Sequence, residues 1–280
     1  MESHPTGVSI VDCHTHVVST DEDRYPLNPR DLSGDWYREG PASADDLARE
    51  MDASGVAQAI LVQGVGAYTW DNDYAADAAA ARAERFVAAC AIDAEAPDAP
   101  TTLAYWLAER GMQGVRLFAL SREGPSWLTA DATDPLWEVA REHGAHVIVT
   151  ILPHQLGELE QVLERFPGIP VSLDHCAFAL GDASAREALF ALARFEALHL
   201  KVSTHNLDDG DPAATVRALV DGFGAERLMW GSDYCQTHDR PYGELVALAR
   251  RAFGALPDAQ AASCLAGTAR RLWPGLTRSR

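Results

Sequence analysis

No run of apolar residues in this 280-residue chain approaches the roughly 20 that a helix needs to cross a bilayer. The first residues also lack a basic stretch followed by an apolar one, so we expect no secretory signal and a soluble, cytoplasmic protein. CxxC spacing is absent from the five cysteines, which argues against a disulfide scaffold and for reduced thiols. Internal repeats and low-complexity linkers are missing as well, so residues 1–280 are expected to form a single domain.

Basic residues are scarce relative to acidic ones. The chain has 23 Lys and Arg against 41 Asp and Glu, a formal charge of −18. Because no cluster of basic residues is present, we expect neither a nucleic-acid partner nor a membrane partner. A small anionic substrate needs only one or two well-placed arginines and is compatible with this balance.

Short apolar runs alternate with amphipathic stretches along almost the whole chain. The runs are rich in Val, Ile and Leu at both alternating positions, as in parallel strands that are covered on both faces. Eight such strands, each followed by a helix-like stretch, predict a closed (β/α)8 TIM barrel. Ser43 and Asp46 predict the capped start of the first helix. The predicted strands are Val8–Val17, Gln58–Gly64, Phe86–Asp93, Gly114–Leu120, His146–Leu152, Val171–Cys176, Leu198–Ser203 and Arg227–Ser232.

The longest irregular segment covers residues 19–41, directly after the first predicted strand. It is expected to lie over the C-terminal mouth of the barrel, where loops of this length act as lids or binding loops. The alternative is a surface loop that its aromatic residues merely anchor. If Trp36 and Tyr37 of this loop are exposed, they could instead serve the active site of a neighbouring copy, which leaves a homo-oligomer open.

Histidines and a carboxylate stand at the ends of three predicted strands. His14 and His16 end the first strand with the same parity, on the side that faces the mouth of a barrel. His175 ends the sixth strand, where a packing role is the alternative. Asp233 follows the eighth strand, where an unpaired carboxylate is costly, so it should be held by histidines, a metal or backbone donors. A helix cap is the other interpretation of Asp233.

Together these motifs resemble the amidohydrolase superfamily: HxH after strand one, Asp-His at 174–175 and Trp-Gly-Ser-Asp at 230–233. The closer resemblance is to the branch that contains 2-pyrone-4,6-dicarboxylate lactonase and related sugar-lactone and muconolactone hydrolases. The resemblance covers nearly the whole chain. Its supporting segments are Leu61–Gln63, Trp70–Tyr74, Gly114–Leu117, Lys201–Ser203 and Leu265–Leu272.

The resemblance implies a hydrolase that opens a small, carboxylated lactone or ester. In that family a carboxylate at the position of Asp233 activates water. The residues corresponding to His14, His16 and His175 polarise the carbonyl, directly or through a divalent metal bound by them and Asp233. Arg116, at the end of strand four, is expected to hold a substrate carboxylate; an ion pair with a neighbouring acid is the alternative.

Strands four and five depart from the pattern of the metal-dependent members. Many of those carry a Lys or Glu ligand on strand four and a His on strand five, whereas this chain has Arg116 and Thr150. A two-metal centre is therefore not expected, and one Zn²⁺ or other divalent ion, or no metal, are both left open.

Further polar residues are expected to line the mouth and bind substrate: Gln63, Asn72, Ser203, His205, His238 and Arg240. Two other functions stay open beside hydrolysis. One is a metal-dependent decarboxylase of the same superfamily that acts on a small aromatic or unsaturated acid. The other is a barrel that binds a ligand without catalysis.

Overall fold

Eight parallel strands follow one another in chain order around a barrel in the computed structural model, which describes residues 9–29, 34–208 and 210–277. This confirms the predicted fold class and the presence of all eight strands. Val8, at the start of the first predicted strand, lies outside the described residues. The strands are β1 (Ile10–Thr15), β2 (Val56–Val62), β3 (Phe86–Ala91), β4 (Gly114–Phe118), β5 (His146–Thr150), β6 (Val171–Leu173), β7 (Leu198–Ser203) and β8 (Leu228–Gly231).

Backbone hydrogen bonds close the barrel between β8 and β1 at their carboxyl ends. The Asp233 N–H donates to the His14 carbonyl oxygen over 2.9 Å, and the His16 N–H donates to the Tyr234 carbonyl oxygen. The histidines of β1 therefore lie next to the residues that follow β8.

Asp12 reinforces this seam from inside the protein. Its buried carboxylate accepts hydrogen bonds from the Ser232 N–H (2.9 Å), the His14 N–H (3.2 Å) and the Tyr242 hydroxyl (3.0 Å). Burial raises the pKa of Asp12 to about 6, although these hydrogen bonds act in the opposite direction.

Helices surround the barrel. Among the described residues the α-helices are α1 (Trp36–Glu39), α2 (Ala44–Ser54), α3 (Val65–Tyr68), α4 (Asp73–Ala81), α5 (Ala99–Ala108), α6 (Asp134–Glu142), α7 (Leu156–Arg165), α8 (Ala183–Ala191), α9 (Thr204–Leu207), α10 (Pro212–Phe223), α11 (Tyr242–Phe253), α12 (Asp258–Ala262) and α13 (Thr268–Leu272). Shorter 3₁₀ turns join several of them, and a π-helix (Ser263–Gly267) links α12 to α13. None of the described helices combines the length and the apolar character of a membrane span.

Local sequence explains how α2 starts and stops. The Ser43 hydroxyl accepts from the Asp46 N–H, and the Asp46 carboxylate accepts from the Ser43 N–H, which is the predicted capping box. Gly55 ends the helix at φ +69°, a left-handed conformation that glycine adopts without strain.

Most strands end earlier than predicted, because their last residues are no longer hydrogen-bonded to the neighbouring strands and form the carboxyl end of the barrel instead. The clearest case is β6, predicted to reach Cys176 but ending at Leu173. From His175 to Phe178 the chain has φ angles between +51° and +55°, which no strand can accommodate.

The loop after β1 folds back over the barrel and contains α1. Trp36 and Tyr37 are buried, with 2% and 4% of their surface exposed, and pack with Val18, Tyr68 and Cys235. Because neither residue is exposed, they give no support to a shared active site between copies, and the homo-oligomer stays a prediction. Residues 30–33 of this loop lie outside the described residues.

Candidate active site

Four predicted site residues lie together at the carboxyl end of the barrel. The Nε2 atoms of His14 and His16 are 3.4 and 3.3 Å from Asp233 Oδ1. The His175 ring lies 4.9 Å from the His14 ring, measured between centroids. All four residues are buried, His175 being the most exposed at 3%.

A bulge in β1 brings His14 and His16 to the same carboxylate. Asp12 pairs with Ala59 and Thr15 with Leu61, so three steps along β1 match two along β2. His16 is then fixed by its Nδ1, which lies 2.8 Å from the Val62 carbonyl oxygen. A carbonyl only accepts, so the Nδ1 of His16 carries a hydrogen and its Nε2 presents a lone pair to Asp233 when the ring is neutral.

A left-handed turn after β6 carries His175. Each of its four non-glycine residues with positive φ costs roughly 1 kcal/mol or more, so other contacts must hold the turn in place. The Asn206 amide donates to the His175 carbonyl oxygen (2.8 Å), and the Ser203 hydroxyl is 2.8 Å from His175 Nδ1. Burial lowers the pKa of His175 to about 4, so this imidazole is neutral at neutral pH.

The second oxygen of Asp233 is held separately from the first. His205 Nε2 and the Thr237 hydroxyl donate to Oδ2 over 3.0 and 3.3 Å. Burial would raise the pKa of Asp233, but the imidazole of His175 and the hydrogen bond from His205 hold it well below its ordinary range. Asp233 is therefore ionised at neutral pH, with Oδ1 directed toward the histidines.

Beneath His14 lies a buried charge cluster, of which the sequence analysis assigned Arg116 to the site but not Asp174 or Lys201. Asp174 Oδ1 lies 3.1 Å from both His14 Nδ1 and Lys201 Nζ, and its Oδ2 accepts from Arg116 Nε (3.0 Å) and Thr150 Oγ1 (2.7 Å). Lys201 Nζ is also 3.2 Å from His14 Nδ1. Burial would raise the pKa of Asp174, but Lys201, His14 and Arg116 hold it well below its usual range. Burial also holds the pKa of His14 well below its ordinary value.

A signal for Lys201 was present in the sequence. It is the single lysine of the chain, the other basic residues being arginines, and it stands inside the apolar strand Leu198–Ser203. A charged side chain in a strand covered on both faces must find partners in the barrel interior. The partners themselves depend on strand register, which the sequence does not show.

Arg116 forms an ion pair with a neighbouring acid, which was the alternative to binding a substrate carboxylate. Its Nε is bonded to Asp174, and its Nη1 lies 3.4 Å from the Gln63 carbonyl oxygen. The Gln63 side chain itself donates to the Asp71 carbonyl oxygen. Asn72 is fully buried and exchanges hydrogen bonds with the Ala91 backbone (2.7 and 2.9 Å), so it fixes the loop after β2 to β3.

Of the other predicted rim residues, Ser203 and His205 contact the cluster directly, whereas His238 and Arg240 do not. Arg240 forms a two-point ion pair with Asp208 (2.8 and 2.9 Å) and also binds Asp239. His238 Nε2 lies 3.3 Å from Glu39. The charge of Arg240 is thus already compensated at the surface.

The donor atoms at the centre fit a divalent metal. His14, His175 and Asp233 each offer one ligand atom, and these atoms lie within 4.8 Å of one another. Among the described residues, the Nε2 atoms of His14 and His16 and Asp233 Oδ1 are buried without a hydrogen-bond partner. Neutral imidazoles and a carboxylate are ligands that Zn²⁺ prefers in catalytic sites.

A cleft beside this centre borders His205, which bonds to Asp233. This cleft of about 400 Å³ is lined by Thr204, His205, Asp208, Gln236, Thr237, His238 and Asp239. On the other side, the Trp36 ring covers His16 at 5.5 Å, and Gly64 and Gly66 make room for it. A larger cavity of about 700 Å³ lies between the loop 19–41 and α2. Neither cavity is lined by the four central residues, but the smaller one adjoins them through His205 and Thr237, which bond to Asp233.

Comparison with known proteins places this geometry in context. A family model described as amidohydrolase matches residues 11–275. The L-fucono-1,5-lactonase of Burkholderia ambifaria is 27% identical over 238 residues, which cover 80% of this chain and 79% of that protein.

Solved structures share the fold over nearly the full length. A protein named as a 2-pyrone-4,6-dicarboxylic acid hydrolase from Pseudomonas putida has a TM-score of 0.77 at 24% identity, covering 96% of this chain and 98% of that one. A Burkholderia multivorans amidohydrolase with bound zinc has a TM-score of 0.76 at 22% identity, covering 95% and 99%. The 2,6-dihydroxybenzoate decarboxylase of Rhizobium has a TM-score of 0.71 at 16% identity, covering 95% and 98%.

Proposed function

Because this chain belongs to the amidohydrolase family and is a hydrolase, we propose that it opens a small, carboxylated lactone or ester by attack of water on the carbonyl. The observation that carries this proposal is the position of Asp233, whose buried Oδ1 lies 3.4 and 3.3 Å from the Nε2 atoms of His14 and His16. The direction of its pKa, well below the ordinary range, is consistent with an ionised base. The names of two similar proteins, a fuconolactonase and a pyrone-dicarboxylate hydrolase, support lactones as the substrate class.

Asp233 acts as the general base. His205 and Thr237 hold Oδ2, so Oδ1 is the oxygen that takes a proton from water as the water oxygen bonds to the carbonyl carbon. The ring C–O bond then breaks, and the same proton passes from Asp233 to the leaving oxygen, which gives an acid and an alcohol. A positioned base of this kind contributes roughly 10²–10⁴ in rate.

His14 and His175 stabilise the negative charge that develops on the carbonyl oxygen, whereas His16 cannot donate to it, because its hydrogen is on Nδ1 and bonded to the Val62 carbonyl. His14, His16 and His175 surround Asp233 Oδ1, so a carbonyl placed for attack by a water on that oxygen lies next to their rings. An imidazole N–H in this buried site stabilises an oxyanion more than it would in water. The turn held by Asn206 and Ser203 keeps His175 in position for this role.

If a divalent metal binds, His14, His175 and Asp233 are the residues that would hold it, with His16, whose Nε2 lies 3.3 Å from Asp233 Oδ1, as a further ligand. Such an ion supplies Lewis-acid polarisation of the carbonyl and lowers the pKa of a coordinated water. The presence of zinc in the Burkholderia multivorans neighbour supports testing for it here. The contacts of His16 Nδ1 and His175 Nδ1 leave both Nε2 atoms facing the centre.

Arg116 binds the substrate carboxylate through Nη2 of its guanidinium. Its Nε bonds Asp174 and Nη1 approaches Gln63, whereas Nη2 takes part in neither contact. A substrate carboxylate on Nη2 would form a charge-assisted hydrogen bond inside the barrel mouth. Carboxylated lactones are therefore expected to have lower KM values than neutral lactones of the same ring size.

Decarboxylation of a small aromatic or unsaturated acid is the second candidate. It is favoured by the fold shared with the Rhizobium decarboxylase. Against it stands Thr150 on β5, whose hydroxyl bonds Asp174 and which occupies the position where the family resemblance implies a histidine in many metal-dependent members.

A substrate panel separates the two reactions. Purified protein is incubated with neutral sugar lactones, carboxylated pyrone lactones and dihydroxybenzoates, and acid release and CO₂ release are followed in parallel. Each assay is repeated with a chelator and with added Zn²⁺. We expect acid release from lactones that Asp233→Asn abolishes; CO₂ release without lactone opening would replace this proposal with the second.

A further inference from the structure

Lys201 takes part in none of the steps above, although it lies at the centre of the barrel. It is the single lysine of the chain and it is fully buried. Its ammonium touches two groups, Asp174 Oδ1 at 3.1 Å and His14 Nδ1 at 3.2 Å. Burying an ammonium is costly unless it is paired, so this placement calls for a role.

The contact with His14 determines which ring nitrogen carries the hydrogen. A neutral imidazole has one N–H and one lone pair. If the hydrogen is on Nδ1, it donates to Asp174 and leaves the Nε2 lone pair for a metal. If the hydrogen is on Nε2, then Nδ1 accepts from Lys201, and the Nε2 hydrogen is on the side of Asp233 Oδ1, 3.4 Å away. Asp174 therefore favours the tautomer with the hydrogen on Nδ1, and Lys201 favours the tautomer with the hydrogen on Nε2, although both residues contact His14 Nδ1.

Two observations favour the hydrogen on Nε2. Lys201 Nζ lies within hydrogen-bond distance of both His14 Nδ1 and Asp174 Oδ1, so the ammonium can donate to each of them, and Asp174 keeps a donor when His14 Nδ1 carries no hydrogen. In addition, His16 already presents a lone pair to Asp233 Oδ1, because its Nδ1 hydrogen is used by the Val62 carbonyl. A second lone pair from His14 would leave a buried carboxylate oxygen facing two acceptors.

Charge balance points the same way. With neutral imidazoles at the centre, the buried carboxylates of Asp174 and Asp233 are matched by the cations of Arg116 and Lys201. The charges of these four groups cancel without a metal, whereas a divalent ion adds two positive charges, of which the buried carboxylate of Asp12 next to His14 offsets at most one.

We propose that Lys201 holds His14 in the tautomer with its hydrogen on Nε2, and so lowers the affinity of this centre for divalent metals. To ligate a metal through Nε2, His14 must move its hydrogen to Nδ1 and give up the hydrogen bond from Lys201. The inference rests on the proposed function only in taking His14 and Asp233 as the site. Lys201 is a positioning residue, because it acts on the centre through His14.

The affinity for Zn²⁺ tests the second half of this proposal. Lys201→Met removes the donor and keeps the length of the side chain, so we expect Zn²⁺ to bind about 10- to 100-fold tighter, the range typical of groups that orient metal ligands. Asp174→Asn removes the carboxylate that favours the metal-ready tautomer, and we expect weaker binding. Arg194→Met is the matched control: it also removes one positive charge, but at an exposed ion pair with Glu160 and Glu164. Its affinity should equal that of the wild type.

Binding is measured by titration calorimetry with Zn²⁺ alone, without substrate. The Zn²⁺ affinity therefore does not depend on whether the protein opens lactones, and the substrate panel does not depend on the Zn²⁺ affinity. Unchanged or weaker Zn²⁺ binding by folded Lys201→Met protein overturns the proposal.

Nuclear magnetic resonance of the metal-free wild type tests the first half and does not need a variant that folds. Long-range ¹⁵N–¹H correlations distinguish a protonated ring nitrogen from a bare one, and His14→Gln identifies the His14 signals. ¹⁵N-lysine labelling adds a single side-chain signal, which can only be Lys201. We expect a bare Nδ1 and a protonated Nε2 on His14; a hydrogen on Nδ1 overturns the proposal.

Discussion

Replacing Asp233 by asparagine keeps the shape of the side chain and removes the proposed base. The amide oxygen can still accept from His205 and Thr237, which bind Oδ2 over 3.0 and 3.3 Å, so the residue should stay in place. An amide does not take a proton from water at neutral pH. Since a general base contributes roughly 10²–10⁴ in rate, we expect kcat to fall by two to four orders of magnitude. That corresponds to about 3–5 kcal/mol in the activation barrier.

KM should change little, because the base acts in the transition state rather than in binding. Initial rates over a range of lactone concentrations separate the two constants, and circular dichroism checks the fold. Asp52→Asn is the matched control: the same substitution at an exposed carboxylate that pairs with Arg85 (2.7 Å), which should leave both constants unchanged. If folded Asp233→Asn protein keeps kcat within tenfold of the wild type, Asp233 is not the base.

Three further substitutions test other parts of the site. Asn206→Ala leaves the His175 carbonyl without its donor, so we expect a loss of about 1–3 kcal/mol in unfolding free energy and a fall in kcat, measured by urea unfolding and initial rates. Asp12→Asn removes one titrating carboxyl. Burial raises the pKa of Asp12 to about 6, so the unfolding free energy of the wild type is higher at pH 4 and falls as the pH rises through 6. The variant should therefore gain about 2 kcal/mol relative to the wild type between pH 4 and pH 7, and an equal difference at both values would contradict this. Trp36→Ala uncovers His16, and we expect a higher KM with a smaller change in kcat; unchanged kinetics would mean that the loop does not help to bind substrate.

The barrel and the meeting of the histidines could be predicted because both follow from strand order. Parallel strands in a closed ring all end on the same side, so residues at the ends of β1, β6 and β8 had to lie near one another. Alternation along β1 predicted that His14 and His16 share a face. The structure reaches that result through a bulge, which the sequence pattern did not indicate.

Pairings between strands could not be predicted to the same degree. Arg116 was open to two interpretations because its partner depends on which residues of β5 and β6 stand at its height in the barrel. Lys201 was overlooked as a site residue for the same reason, although its isolation in an apolar strand was visible. The loop after β1 was predicted to cover the mouth, but the burial of Trp36 depends on space that Gly64 and Gly66 leave for it.

The single lysine has a practical consequence for measuring the stability of this protein. An endoprotease specific for lysine has one target bond in the entire chain, after Lys201 in the middle of β7. A protease needs several residues of extended, accessible chain around its target, and β7 offers none while it is hydrogen-bonded to β6 and β8. Local fraying of loops or helices cannot expose this bond, so the rate of cleavage reports the opening of the barrel itself.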